Sequence, residues 1–294
     1  MPYWKRIALA ATLMAAVLVA TVAAGGDDPM SMKIERKTCP APDGVNLVYS
    51  VAGMGEPALV FIHGGLADRD FWTSQLKAFS GRYKVIALDL PGHGESGANR
   101  TKWGIPEFGA DVKAVVDAEK VKRAIIFGNS LGGPVAVEAA LLLPGRAVGV
   151  VGVDTFQSLE GPYPLEELRR RAEAFRDNYA GMLKQMVLAL FHRDADPALI
   201  AEAERRMMKT PPAAAYAIFM GMVSYVPAES AGRLTVPLRA INGDIYPTDF
   251  AGVRKIKPDF EAVIMTHMGH YPMLERPDEF NRHVAAVVAE LEKK

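Results

Sequence analysis

The chain has 294 residues, with 34 Lys and Arg against 34 Asp and Glu, so its formal net charge is zero. Neutrality gives no electrostatic basis for a nucleic-acid or anionic-membrane partner, and 50% hydrophobic with 23% charged residues excludes a disordered chain. A single cysteine, Cys39, excludes an internal disulfide framework and any cysteine-built zinc site.

In chain order, Lys5 and Arg6 precede an uncharged run from Ile7 to Ala24, followed by Gly25-Gly26-Asp27-Asp28-Pro29. A basic start, an apolar middle and small residues at the end predict a signal peptide over residues 1–24, cut before Gly25. The product is then exported, periplasmic or secreted. An uncleaved membrane anchor is the alternative, since the run approaches the ~18–20 residues that span a bilayer. Its alanine content makes it weakly hydrophobic for a permanent span.

Beyond Met32, short β-rich runs alternate with helical stretches. Arg36–Cys39 and Val45–Val51 flank the turn pair Asp43-Gly44, which predicts a hairpin. Ala58–Ile62, Lys84–Leu88, Ala124–Phe127, Ala147–Val153, Leu238–Ile241 and Ala262–Met265 are apolar runs of the kind covered on both faces. Helical patterns fall between them at Phe71–Phe79, Ile105–Glu119, Pro134–Leu143 and Pro277–Glu292. The fold class is α/β, a mostly parallel sheet with helices on both faces. The alternation breaks from Phe156 to Val226, where Met182, Met186, Val187, Leu190, Tyr216, Phe219 and Val223 recur at helical spacing. This predicts a helical cap over 155–226, inserted into a core made of 32–154 and 227–294. Arg169–Arg171 and Arg205-Arg206 are expected on its solvated faces.

Gly128-Asn129-Ser130-Leu131-Gly132 joins a predicted strand to a predicted helix. A turn that tight needs small residues two positions either side of the serine, and it presents the Ser130 hydroxyl at the sheet edge. The Leu131 N–H then points to where an oxyanion forms. His63-Gly64-Gly65 follows the strand Ala58–Ile62, and Gly65 is the candidate for a second oxyanion N–H; His63 reads as a structural hydrogen-bonding residue. Asp89-Leu90-Pro91-Gly92-His93-Gly94-Glu95-Ser96 forms the next strand-end loop, with no catalytic part assigned to His93. A serine hydroxyl needs an imidazole to accept its proton, and His270, leading into the last helix, is the candidate base, with His267 a lesser neighbour. Two histidines three apart with no third ligand do not make a metal site, and no cofactor is expected.

These elements resemble the α/β-hydrolase fold, in the branch carrying a helical cap, over residues 32–294. The serine elbow, His-Gly-Gly, Asp-x-Pro-Gly-His-Gly-x-Ser and Gly-His-x-Pro-x-x-Glu carry the resemblance. It implies a nucleophile at Ser130, a base at His270 and oxyanion donors at Gly65 and Leu131. Serine at the elbow separates the chain from relatives that use aspartate there.

The chain departs from the family at the acid. Members commonly place it in Gly-x-x-Asp after the strand that here is Leu238–Ile241, where Gly243-Asp244-Ile245 is followed by Tyr246. Asp154, ending the strand Ala147–Val153, is the favoured acid; Asp244 and Asp249 are the alternatives. The functional expectation is a serine hydrolase cleaving a carboxylic ester of a small apolar molecule, or a related C–C, amide or peroxide reaction. The competing hypothesis is a ligand-binding protein that keeps the fold and has lost turnover.

Overall fold

The computed structural model describes residues 33–160, 165–223 and 225–293. The predicted leader lies outside them. Among the described residues no helix is long and apolar enough to cross a membrane.

The chain enters through β1 (Glu35–Pro40) and β2 (Asn46–Ala52), an antiparallel pair whose turn contains Gly44 at φ 86°, a left-handed geometry that glycine adopts without steric cost. Next come β3 (Ala58–Ile62), a single 3-10 turn (Arg69–Trp72), α1 (Thr73–Phe79), β4 (Val85–Asp89), α2 (Ile105–Ala118), β5 (Ala124–Asn129), α3 (Gly132–Leu141) and β6 (Ala147–Val153). Five helices follow before the next strand: α4 (Leu165–Asp177), α5 (Tyr179–Leu190), α6 (Pro197–Met207), α7 (Pro212–Met222) and α8 (Pro227–Arg233). The chain then returns through β7 (Leu238–Asn242), α9 (Phe250–Ile256), β8 (Glu261–Ile264), α10 (Pro272–Glu275) and α11 (Pro277–Leu291).

The strands form one sheet in the order β1-β2-β4-β3-β5-β6-β7-β8. From β4 to β8 all neighbours run parallel. Side chains alternate across this sheet, so each strand feeds two cores. Val60, Ile62, Ile86, Leu88 and Ile126 join α2 and α3 residues such as Phe108, Val112 and Val135 on one face. Leu59, Phe61, Val85, Ile125, Phe127 and Val151 join Leu76 of α1 and Phe280, Val284 and Leu291 of α11 on the other. The continuous apolar runs in the sequence therefore follow from burial on both faces.

The predicted strands recur within one or two residues of their expected ends. The segment after β6 is richer in helix than its periodicity suggested, because α4 has only Ala172 and Phe175 buried and gives a weak apolar stripe. α8 packs on α3, where Glu138 accepts hydrogen bonds from Tyr225 Oη at 3.1 Å and from Ser230 Oγ. α9, which the sequence reading did not include, is capped by Asp249.

Candidate active site

Parallel strands place all their C-terminal ends along one edge, where ligands of open α/β sheets bind. On this edge lie His63 after β3, Asp89 ending β4, Ser130 after β5, Asp154 after β6, Asp244 after β7 and His267 to His270 after β8.

The turn after β5 is the tightest of these. A Cβ on Gly128 would collide with the carbonyl of Gly132, and one on Gly132 would lie 2.6 Å from the Ile62 carbonyl oxygen. Only glycine fits either position. Between them Ser130 takes φ 51°, a left-handed conformation unusual for a residue with a side chain. Its amide donates to Val153 O at 3.2 Å, and Gly133 N donates back to Ser130 O at 2.9 Å, so backbone bonds hold the strained turn. Leu131 caps α3 and is buried.

Asp154 also has positive φ, 46°, which turns its side chain out of the line of β6. Its amide bonds Ile241 O at 3.0 Å, its Oδ1 accepts from Gly243 N at 2.9 Å and Gln157 Nε2 at 3.1 Å, and its Oδ2 accepts from the His270 ring at Nδ1. Both partners are buried, Asp154 at 3% exposure and His270 at 8%. A buried carboxylate with three donors is satisfied without a cation, and its bond to Nδ1 leaves Nε2 as the ring's free acceptor. His270 N donates to Leu190 O at 2.7 Å, and Asn129, next to Ser130, donates from Nδ2 to His270 O at 3.0 Å and Val153 O at 2.9 Å. Asn129 thereby ties the elbow, the β6 end and the histidine loop together.

The other two aspartates do different work. Asp244 is exposed, and its carboxylate accepts from His267 N at 2.8 Å and Met268 N at 3.0 Å. The Met268 amide, foremost, holds its carboxyl below the usual range. Asp249 Oδ1 accepts from Gly252 N at 2.9 Å as the cap of α9. Tyr246 is half exposed.

His63 is fully buried, with Nδ1 on Gly64 O at 2.7 Å and Nε2 accepting from Leu90 N at 3.0 Å; burial pushes its pKa down to about 4, so it is neutral. It fastens the β3 loop to the β4 loop. His93 stacks against it with ring centroids 4.7 Å apart and is likewise held neutral by burial. Asp89 is fully buried, pairs with Arg69 and accepts from Arg69 N at 2.7 Å and Glu95 N at 2.9 Å; burial lifts it to about 6 despite the guanidinium. Gly65 sits where an added Cβ would lie 4.0 Å from Leu131 Cδ2 and 3.9 Å from Phe219 Cε1 of α7. The two candidate oxyanion residues are thus neighbours, with an aromatic edge from the β6–β7 helices beside them.

Sequence reasoning passed over three residues here and misplaced a fourth. Asn129 stood inside the elbow pattern and Glu275 inside Gly-His-x-Pro-x-x-Glu, so both carried a signal. Glu275 accepts from His192 N at 3.2 Å, Gly269 N at 3.3 Å and Tyr271 N at 3.4 Å, bracketing His270. Gln157 carried none. Arg206 requires a correction: it does not lie on a solvated face, since its side chain is 20% exposed and paired with Asp68 and Asp70 across from α6. Its neighbour Arg205, at 59%, does face solvent. Among the described residues no group of three or more His, Cys, Asp or Glu is placed to hold a metal ion.

Comparison with known proteins gives this geometry a context. A model described as the alpha/beta hydrolase family matches residues 59–283. A pimeloyl-[acyl-carrier protein] methyl ester esterase of Nitrosospira multiformis is 26% identical over 78% of this chain and 94% of its own. The dihydrolipoyllysine-residue acetyltransferase component of an acetoin cleaving system from Pseudomonas putida is 27% identical over 81% of this chain; the chain covers 65% of that relative, less than two thirds of its length. A thermophilic esterase from Thermogutta terrifontis has the same fold, with a TM-score of 0.77 at 21% identity over 87% of this chain and 99% of its own.

Proposed function

The chain belongs to the alpha/beta hydrolase family, and from that premise we propose that it is a serine hydrolase acting on a carboxylic ester through an acyl-enzyme. The observation that carries the reading is the buried contact between Asp154 and the Nδ1 side of His270, on the sheet edge that holds the strained Ser130. Asp154 fixes the imidazole with its proton on Nδ1 and stabilises the cation that forms. Nε2 takes the Ser130 proton as the hydroxyl oxygen attacks the ester carbonyl, and returns it to the leaving alcohol. The N–H groups of Gly65 and Leu131 receive the negative charge on the carbonyl oxygen. Water then repeats the sequence on the acyl-enzyme. The ligand-binding alternative drew its support from the tyrosine at 246, and an acid on the neighbouring strand weighs against it.

The helices between β6 and β7 form a cap in this reading, with Phe219 beside Gly65 favouring a small apolar substrate. The methyl ester esterase relative supports an ester as the bond cleaved. No cofactor takes part in these steps. The leader directs export, and amino-terminal sequencing of the mature protein should begin near Gly25.

A fluorophosphonate should label the protein at Ser130, with hydrolysis of p-nitrophenyl esters lost in step. Ser130→Ala should abolish both. Labelling that persists in the variant places the nucleophile elsewhere and overturns the mechanism.

A further inference from the structure

The loop from His63 to Asp70 carries the candidate oxyanion residue Gly65, and its shape is not set by local sequence alone. Ala67 N bonds back to Gly64 O at 3.2 Å, and Leu66 takes φ 63°. A non-glycine residue in that region costs free energy, so surrounding contacts must hold the loop. From the sheet side, His63 and Asp89 supply two of them, through Leu90 N and Arg69 N.

The remaining fastenings come from the helices between β6 and β7. Arg206, in the last turn of α6, reaches Asp68 Oδ1 with Nη2 at 2.6 Å and Nε at 3.2 Å, and Asp70 Oδ2 with Nη2 at 2.6 Å. The Asp68 side chain is 7% exposed, and the same Oδ1 accepts from Asp70 N at 3.1 Å to cap the 3-10 turn. A carboxylate so enclosed needs a cation, and no other cation pairs with it among the described residues. Just beyond α6, Thr210 Oγ1 donates to Leu66 O at 3.4 Å, and further on Phe219 lies beside Gly65. Leu66 and Ala67 share a buried apolar cluster with Ala203, Met207 and Ala215 of α6 and α7.

We propose that Arg206 is a positioning residue for the oxyanion loop, acting through Asp68 and Asp70 to hold the Gly65 N–H where charge develops in the transition state. The inference rests on the serine-hydrolase reading above. Under it, the helical segment supplies part of the catalytic geometry as well as a wall for the substrate. Arg206 touches no reacting atom.

A misplaced oxyanion donor weakens the transition state and leaves ground-state binding largely alone, so the effect falls on kcat. Arg206→Gln should lower kcat for p-nitrophenyl acetate by about 10- to 100-fold with KM within ~3-fold, below the ~10²–10³ cost of deleting a donor outright. Fluorophosphonate labelling of Ser130 should slow by a similar factor, because the phosphoryl oxygen uses the same amides. Arg206→Lys keeps the charge without the fork and should fall between wild type and Arg206→Gln. Asp70→Asn weakens the outer contact with Arg206 and a longer pairing with Arg69 at 4.0 Å, and should lower kcat by about 2- to 5-fold. Arg205→Gln, whose side chain pairs with Glu202 on its own helix, should match wild type.

All rates are taken well below each variant's melting midpoint. Wild-type kcat and labelling in a folded but less stable Arg206→Gln protein would make the clamp merely structural and overturn the proposal, as would a loss confined to KM. Should Arg206→Gln not fold, Arg206→Lys and Asp70→Asn decide, and wild-type kcat in both overturns it. An inactive Ser130→Ala beside a fully active Arg206→Gln removes this inference and leaves the serine-hydrolase reading in place. A wild-type protein that neither labels nor turns over removes both.

Discussion

The loops after β6 and β7 each present an aspartate at the same sheet edge, and they use it in opposite ways. Asp154 is buried, turned inward by a positive φ, and holds an imidazole nitrogen. Asp244 is exposed and holds the backbone amides of His267 and Met268. Both carboxylates brace the same segment, one through a side chain and one through its backbone. The difference lies in what each carboxylate is free to do. A carboxylate spent on two amides shapes a loop, whereas one that meets Nδ1 in a dry site sets a tautomer and can stabilise an imidazolium. Glycine at 243 links the two, since its amide bonds Asp154 Oδ1 while the next residue turns away.

The sharpest way to break this contrast is to neutralise the inner carboxylate. Asp154→Asn should lower kcat for p-nitrophenyl esters by on the order of 10²–10⁴ while the protein stays folded. A near-normal rate, beside a crippled Asp244 variant, would transfer the acid's role to the β7 loop.

Asp244→Asn should cost well under ~10-fold in kcat, because the His270 ring keeps its partner. Its effect belongs to stability, about 1 kcal/mol after allowing for exposure. The sign of its pH dependence is fixed by the direction of the shift. The Asp244 carboxyl titrates below its ordinary 3.8, so its contribution is fully present above that value and is lost as pH falls through the folded pKa. Urea midpoints of wild type and variant should therefore differ near neutrality and draw together only in acid, once the pH has fallen below 3.8 and through the lowered folded pKa. A gap that widened in acid would mean that the anion is not what those amides bind.

The smallest effect is expected at Asp249. Asparagine also caps helices well, so Asp249→Asn should leave kcat within ~2-fold and change stability by a few tenths of a kcal/mol. A larger loss of turnover would bring the α9 loop into the site.

Much of this edge was legible beforehand, for a local reason. Gly128-Asn129-Ser130-Leu131-Gly132 dictates its own turn, because the side chains it lacks are those that would strike Gly132 and Ile62. The strands were legible because burial on both faces writes itself as unbroken apolar runs. The ambiguity among Asp154, Asp244 and Asp249 was not resolvable in the same way. Each stands in a loop beyond the end of a strand, and nothing local separates a carboxylate that caps a helix from one that meets a ring.

By itself, then, the sequence determined the α/β class, the elbow at Ser130, the glycine pair at 64–65 and the histidine loop, each encoded within a few residues of chain. Only the tertiary structure decided which aspartate meets His270, 116 positions away, and that Arg206 reaches Asp68 across 138. The physical reason is that such partners depend on sheet register and helix docking. Val153 lies beside Ile241, and Asn242 beside Ile264, so that Asp154 emerges facing the loop after β8. Arginine 205 and arginine 206 look alike in sequence, and a rotation of one residue around α6 puts the first in water and the second against a buried carboxylate.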